Sequence, residues 1–455
     1  MIRTCLRALR TVVEGAACLG LSLLLLPCLC WPRRARPPGQ VRATLGRWGR
    51  RVRYGLKDFR DAWWIQSTFE PIRNFWHHLL LIEACAATGS VRSPIAVPLP
   101  PAARILVVKL AHFGDALHIV PLLKALRAQR PGCRIDLVVG PWCQALARRL
   151  APVDQVLVYA PHYVLFNRGS RAGRRGLGRE IGFLRMLRRQ RYDLMISTST
   201  MNLPELLLAQ AAQPALLIGA ASAHPAYPVA VPSRLEPYAS AMYEADRVSG
   251  LLRAVGLEPG SGRLEYPLDA AAQAFGAGVR ADLLAAGWGR MAVLAPGAGW
   301  PDKAWPPERF SALADWLMTE QRMGVVLVGA PPEEPLGRAV AAAMRQPPVN
   351  LVGQTTLDQL AGVVQAADVF VGNDSGPMHL AAAYGIPVLC LFGPTVAAKW
   401  APPRRCRVLQ HPHDCSDCCS WHPLARCQHD RACLRRISVA EATAALQELL
   451  EAPPA

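Results

Sequence analysis

The chain is short of negative charge, and the shortage is uneven. Its 455 residues include 33 Asp and Glu against 51 Lys and Arg, a formal net charge of +18 at neutral pH. Between Met1 and Arg60 stand twelve Arg and one Lys, opposed only by Glu14 and Asp58. A basic excess gathered at one end, beside an apolar run, suits anionic lipid, so a membrane surface is expected as partner and nucleic acid is not. No G-x-G-x-x-G opens a strand-to-helix turn, which argues against a dinucleotide-dependent oxidoreductase. The 14 cysteines are scattered, and an even count alone implies no disulfide framework in a chain that otherwise reads as cytosolic. Apolar residues make up 51% of the chain, too many for a disordered polymer and enough for a large core.

The apolar run of residues 12–31 includes Leu19, Leu21 and Leu23 to Leu26, broken by Glu14, Gly15, Gly20 and Pro27. Twenty residues just suffice to cross a hydrocarbon core, while Glu14 and Pro27 equally permit a shallow or re-entrant placement. A secretory signal competes, but Pro27-Cys-Leu-Cys-Trp-Pro32 offers no small-residue cleavage site, so an uncleaved anchor is expected. Arg33, Arg34, Arg36, Arg42, Arg47, Arg50 and Arg51 then place the downstream domains on the cytoplasmic face of the inner membrane, although Arg3, Arg7 and Arg10 weaken the asymmetry. Residues 47–76 interleave Arg with Trp48, Tyr54, Phe59, Trp63, Trp64, Phe69, Phe75 and Trp76. That pattern fits amphipathic helices in a headgroup layer, or rings packed on the protein's own surface.

A chain of this length exceeds one core, and two Rossmann-sized units are expected. Strands are predicted at 104–110, 134–140, 156–159, 193–197 and 215–219, with a helix over 116–129. A second series is predicted at 291–295, 324–329, 350–352, 369–372 and 388–392. The organisation expected is an anchor (1–40), a basic amphipathic segment and linker (41–101), an acceptor-binding domain (102–256), a linker (257–288), a nucleotide-sugar-binding domain with a Cys cluster (289–437), and a closing helix and tail (438–455). Ser438 and Glu441 predict a capping box for that helix. Two doubly wound α/β domains would face one another across a cleft at the carboxyl ends of their strands.

Three segments carry chemistry. Gly372-Asn-Asp-Ser-Gly-Pro-Met-His379 leaves a strand and enters a helix, with Pro377 suited to the first turn. Free N–H groups at that helix start would receive a diphosphate, and Asp374 a sugar hydroxyl; a plain capped turn closed by Asp374 reads as well. The loop from Ala295 to Phe310 contains Gly297 and one cation, Lys303, which would neutralise a departing diphosphate or simply be solvated. Thr395 ends a further strand on the same side. In the first domain Lys109-Leu-Ala-His-Phe-Gly-Asp115 ends the opening strand, and Asp115 is either a general base for an acceptor hydroxyl or a helix cap.

Residues 104–139 and 372–395 resemble the two signatures of glycosyltransferase family 9, the heptosyltransferases, and the loop after Ala295 fits too. The resemblance runs from about Ala103 to the C-terminus. It implies a GT-B fold and an inverting transfer with ADP-heptose as donor, needing no cofactor for catalysis. By motif, Asp115 resembles the catalytic base, Lys303 the diphosphate contact and Asp374 a donor-sugar ligand. Ser375 and Gly376 resemble the phosphate-binding turn, and His379 also occupies a family position. Gly297 and Thr395 join the expected donor set, and Lys109 the acceptor set. His112 and Phe113 replace the small residues of relatives, which leaves the acceptor open.

The basic stretch 168–191, with Arg171, Arg174 and Arg175, would contact phosphates of an anionic lipid-linked glycan, or form a solvated loop. Cys415, Cys418, Cys427 and Cys433 would supply four thiolates to a structural zinc or iron, or remain reduced thiols. The expectation is a sugar transferase acting on a lipopolysaccharide-type or other cell-envelope glycan. The rival reading is a non-catalytic GT-B module that binds glycan or nucleotide.

Overall fold

The structure is a computed structural model that describes residues 99–150, 152–159, 177–200, 203–220, 233–236, 241–411, 427 and 429–451. The expected anchor at 12–31, the aromatic-basic segment at 47–76, Arg171, Arg174, Arg175, Cys415 and Cys418 lie outside the described residues. Among the described residues no helix is long and apolar enough to cross a membrane.

The first sheet contains β1 (Arg104–Lys109), β2 (Arg134–Val139), β3 (Gln155–Val158), β4 (Leu194–Thr200), β5 (Leu216–Ala220) and β6 (Ser233–Glu236). All pairs are parallel, in the order β3-β2-β1-β4-β5-β6. The second contains β7 (Arg290–Ala295), β8 (Met323–Leu327), β9 (Val349–Asn350), β10 (Val369–Asn373), β11 (Val388–Phe392) and β12 (Cys406–Gln410), again all parallel, in the order β12-β11-β10-β7-β8-β9. Helices cover both faces, so the central strands are continuous apolar runs rather than alternating ones: Ile105 to Val108 and Met291 to Leu294 are fully buried.

Chain order reverses between β1 and β4 in one sheet and between β7 and β10 in the other. Crevices open at such switch points, beyond the carboxyl ends of the strands. The loops after Lys109, Ala295 and Asn373 therefore lie where ligands bind in folds of this kind.

Two edge strands, β6 and β12, were not predicted. β12, whose residues are half-buried or exposed, lacks the buried run that marked its neighbours. The helix predicted over 116–129 is two helices, Phe113–Leu117 and Val120–Gln129. Pro121 has no N–H to give to Leu117, so the helical ladder is interrupted there. The capping box at the C-terminal helix Val439–Glu451 is present: Glu441 N–H donates to Ser438 Oγ at 3.2 Å, and Ser438 N–H to Glu441 Oε2 at 2.7 Å.

Candidate active site

The second sheet supplies the more polar wall. Asn373, the buried last residue of β10, donates through Nδ2 to the carbonyls of Pro296 (2.9 Å) and Gly297 (3.1 Å), and its Oδ1 accepts Trp305 N–H at 2.9 Å. One amide thus fastens the loop leaving β7 to the end of β10. That loop carries Lys303 in a short turn, Pro301–Lys303. Its Nζ lies 2.6 Å from Asp374 Oδ2, and the same oxygen accepts the Thr395 hydroxyl at 2.7 Å. Burial alone would raise the Asp374 pKa. Lys303, by charge and hydrogen bond, with His379 and Thr395, overcomes this and holds the carboxyl below its ordinary value.

Ser375 precedes the helix Gly376–Ala383 in extended conformation and does not cap it with its side chain. Pro377 has no N–H and that of Met378 turns back to Ser375 O at 3.2 Å, so Gly376 N–H is the helix-start donor that can face an anion. Above Gly297 sits the carboxylate of Glu333; a methyl group on that glycine would overlap it. Glu333 Oε2 accepts Ala330 N–H at 2.7 Å, and burial raises the acid's pKa.

The opposite wall is the turn after β1. Asp115 is the third residue of the helix Phe113–Leu117, and its Oδ2 accepts His112 N–H at 3.1 Å. It therefore caps the helix from inside the first turn, while remaining partly exposed. Ala111 O accepts from Trp142 Nε1 at 2.7 Å and from Cys143 Sγ at 3.3 Å. Beneath the turn, Lys109 is 2% exposed and its Nζ lies 3.3 Å from Glu244 Oε1. Lys109 was expected among the acceptor contacts; instead burial and this ion pair make it an anchor for the strand end. Glu244 also takes Arg247 at 2.8 Å and Lys399 at 4.0 Å. Burial opposes its ionisation, but Lys109, Arg247 and Lys399 bring its pKa down to about 2.

The two walls touch through glycine. A Cβ on Gly114 would stand 2.6 Å from His379 Cδ2 and 3.1 Å from Gly376 Cα, and one on Gly376 would overlap the Phe113 ring. Any side chain at either position would push the turns apart. His112 meets Trp300 edge-on with ring centroids 6.0 Å apart, and Lys303 Nζ lies 5.6 Å from the Trp300 ring centre. His379 is buried between the walls. Burial lowers its pKa, while Asp374 and Asp115 both oppose that shift.

Asp115, Gly297, Lys303, Asp374, Ser375, Gly376, His379 and Thr395 are thus brought together where the turn after β1 meets the loops of the second sheet. Cys427 Sγ accepts Arg431 N–H at 3.2 Å and Cys433 is buried. Among the described residues, no group of three or more His, Cys, Asp or Glu side chains could hold a metal ion. Sequence reasoning missed Asn373, Glu333, Trp142 and Glu244. Asn373 alone carried a signal, as a buried-type polar residue inside the quoted motif.

Two parallel Rossmann-like sheets with their ligand-side loops at the switch points define a GT-B architecture. The fold is shared with a glycosyltransferase family 9 structure from Veillonella parvula (TM-score 0.63, 22% identity, 78% of this chain and 99% of that one). It is also shared with E. coli ADP-heptose lps heptosyltransferase II (TM-score 0.56, 22% identity, 76% and 98%). In sequence the chain is 27% identical to lipooligosaccharide heptosyltransferase 2 of Haemophilus influenzae over 66% of its own length and 85% of that protein. It is 26% identical to lipopolysaccharide heptosyltransferase 2 of Salmonella typhimurium over 68% and 88%. The profile of Glycosyltransferase family 9 (heptosyltransferase) matches residues 182–420, more than half of the chain, and the chain belongs to that family.

Proposed function

We propose that this glycosyltransferase moves a heptose from ADP-heptose, with inversion, onto an anionic lipid-linked glycan of the lipopolysaccharide type at the cytoplasmic face of the inner membrane. The observation that carries the reading is that the turn bearing Asp115 packs through Gly114 against His379 and Gly376, beside the Lys303–Asp374 pair. Asp115 takes the proton of the acceptor hydroxyl, whose oxygen attacks the anomeric carbon on the face opposite the nucleoside diphosphate. The bond from that carbon to the phosphate oxygen breaks, and its electron pair stays on the diphosphate. Lys303 and the Gly376 N–H at the start of helix Gly376–Ala383 stabilise that charge. Asp374, held ionised, accepts hydrogen bonds from sugar hydroxyls. Glu333, in the turn Pro331–Glu333 after β8 and over Gly297, is assigned to accept hydrogen bonds from the ribose hydroxyls.

The donor assignment is supported by relatives named as heptosyltransferases and by solved neighbours holding ADP and ADP-2-deoxy-2-fluoro heptose. The membrane setting rests on the apolar run at 12–31 and its flanking arginines. The arginines at 171, 174 and 175 are assigned to acceptor phosphates. Cys415, Cys418, Cys427 and Cys433 are assigned to a structural zinc or iron with no part in the transfer, which metal analysis of the purified chain would check.

The test is transfer by detergent-solubilised protein from a panel of nucleotide sugars to a membrane glycolipid extract, with Asp115→Ala alongside. Transfer from ADP-heptose that drops about 1,000-fold in the variant, with ADP binding retained, is expected. Wild-type binding without transfer from any donor would overturn the reading in favour of a binding module.

A further inference from the structure

His118 lies in the motif of the base-bearing turn, and the scheme above gives it no part. Its ring is fully buried. Nδ1 stands 3.1 Å from Gly114 O, and since a carbonyl only accepts, that nitrogen carries the proton. Nε2 is then a bare lone pair, buried without a hydrogen-bond partner. A phenyl ring would fill the same space without stranding an acceptor, so what the imidazole adds over packing is its bond to Gly114.

That bond replaces something the backbone lacks. The helix Phe113–Leu117 is barely one turn, because the ladder is broken ahead of Pro121. The His118 N–H closes tightly onto Asp115 O at 3.3 Å, and the ring reaches back to the carbonyl just before Asp115. The same ring meets His379 of the donor wall at 4.5 Å between centroids and 78° between planes, with Tyr243 and Trp400 each at 5.5 Å.

We infer that His118 is a positioning residue: its Nδ1–H closes the turn that carries Asp115, and its ring sets that turn against His379, so that base and donor turn keep one geometry. The inference rests on the reading of Asp115 as the base. A displacement of the base by an ångström is enough to cost on the order of 100-fold in rate.

The experiment compares His118→Phe, which keeps the ring, with His118→Asn, whose amide nitrogen replaces Nδ1, in transfer from ADP-heptose to the membrane glycolipid. His118→Phe should lose about 30-fold or more in kcat with donor KM nearly unchanged, and His118→Asn should regain most of it. Thermal melting should rank the variants the other way, Phe above Asn, so the rate order cannot follow from folding. A His118→Phe variant at wild-type rate, or an Asn variant no faster than Phe, overturns the inference. Asp115→Ala in the same assay keeps the two ideas apart: retained transfer there removes the base assignment, whereas loss there with fully active His118 variants removes only the role of His118.

Discussion

The two walls of the crevice are fastened by different chemistry. On the donor wall a neutral amide, Asn373, makes three hydrogen bonds that fasten the loop leaving β7 to the end of β10, and Asp374 collects Lys303 and Thr395. On the acceptor wall the strand end is fastened by charge: Lys109 and Arg247, with Lys399 reaching over from the second domain at 4.0 Å, surround the single carboxylate of Glu244. The Asn373 fastening has no titrating group and is indifferent to pH over the range where proteins fold. The charged fastening depends on one buried acid staying ionised, and so the walls should fail under different conditions.

The largest expected effect tests the donor wall. Asn373→Ala removes one acceptor and two donor contacts in a buried setting, orphaning Trp305 N–H and the carbonyls of Pro296 and Gly297. Each orphan costs on the order of 1–3 kcal/mol, and a loss of roughly 4 kcal/mol in unfolding free energy is expected after relaxation. Urea unfolding measures it, and the loss should be the same at pH 5 and pH 8. A loss under about 1 kcal/mol would mean the amide is not the fastening.

Next in size is the acceptor wall. The Glu244 pKa falls from 4.5 to about 2 on folding, so its contribution is present above the unfolded value and is lost as pH falls from there through about 2. A shift of this size corresponds to roughly 3 kcal/mol. Comparing wild type with Glu244→Gln by urea unfolding, the wild-type advantage should be greatest above about pH 5 and shrink by roughly that amount toward pH 2. A difference that stays flat across this window would break the contrast between the walls.

The contrast was only half legible in the amino-acid sequence. The donor turn could be read because its chemistry is contiguous: Asp374, Ser375, Gly376 and His379 occupy one strand-turn-helix passage, and buried strands flanked it as unbroken apolar runs. Asn373 stood in the same motif, but its partner Pro296 is 77 positions away. The Glu244 anchor was invisible, since it pairs with a lysine 135 positions earlier and sits in a helix without a motif. Lys109 was misread for the same reason: a cation beside a crevice looks like a ligand contact until the carboxylate beneath it is known. Strands β6 and β12 escaped because Ser-Arg-Leu-Glu and Cys-Arg-Val-Leu-Gln carry polar and charged residues where the other strands have apolar runs.

The smallest effect is the most searching. Lys303→Ala should slow transfer about 30-fold, about 2 kcal/mol, because the leaving diphosphate loses its mobile cation while the Gly376 N–H remains. Asp374, freed of the charge that depresses its pKa, should become easier to protonate, so the variant's rate should fall further than the wild type's on acidification. Combined with Glu244→Gln, the two losses in kcat/KM should add to within about 0.5 kcal/mol, since neither residue touches the other or a shared partner. Additivity would mean that the donor wall is built independently of the charge network under the base. A coupling well beyond that margin would instead place Lys399, which contacts Glu244 and lies within electrostatic reach of both Asp115 and Asp374, as the link between the walls.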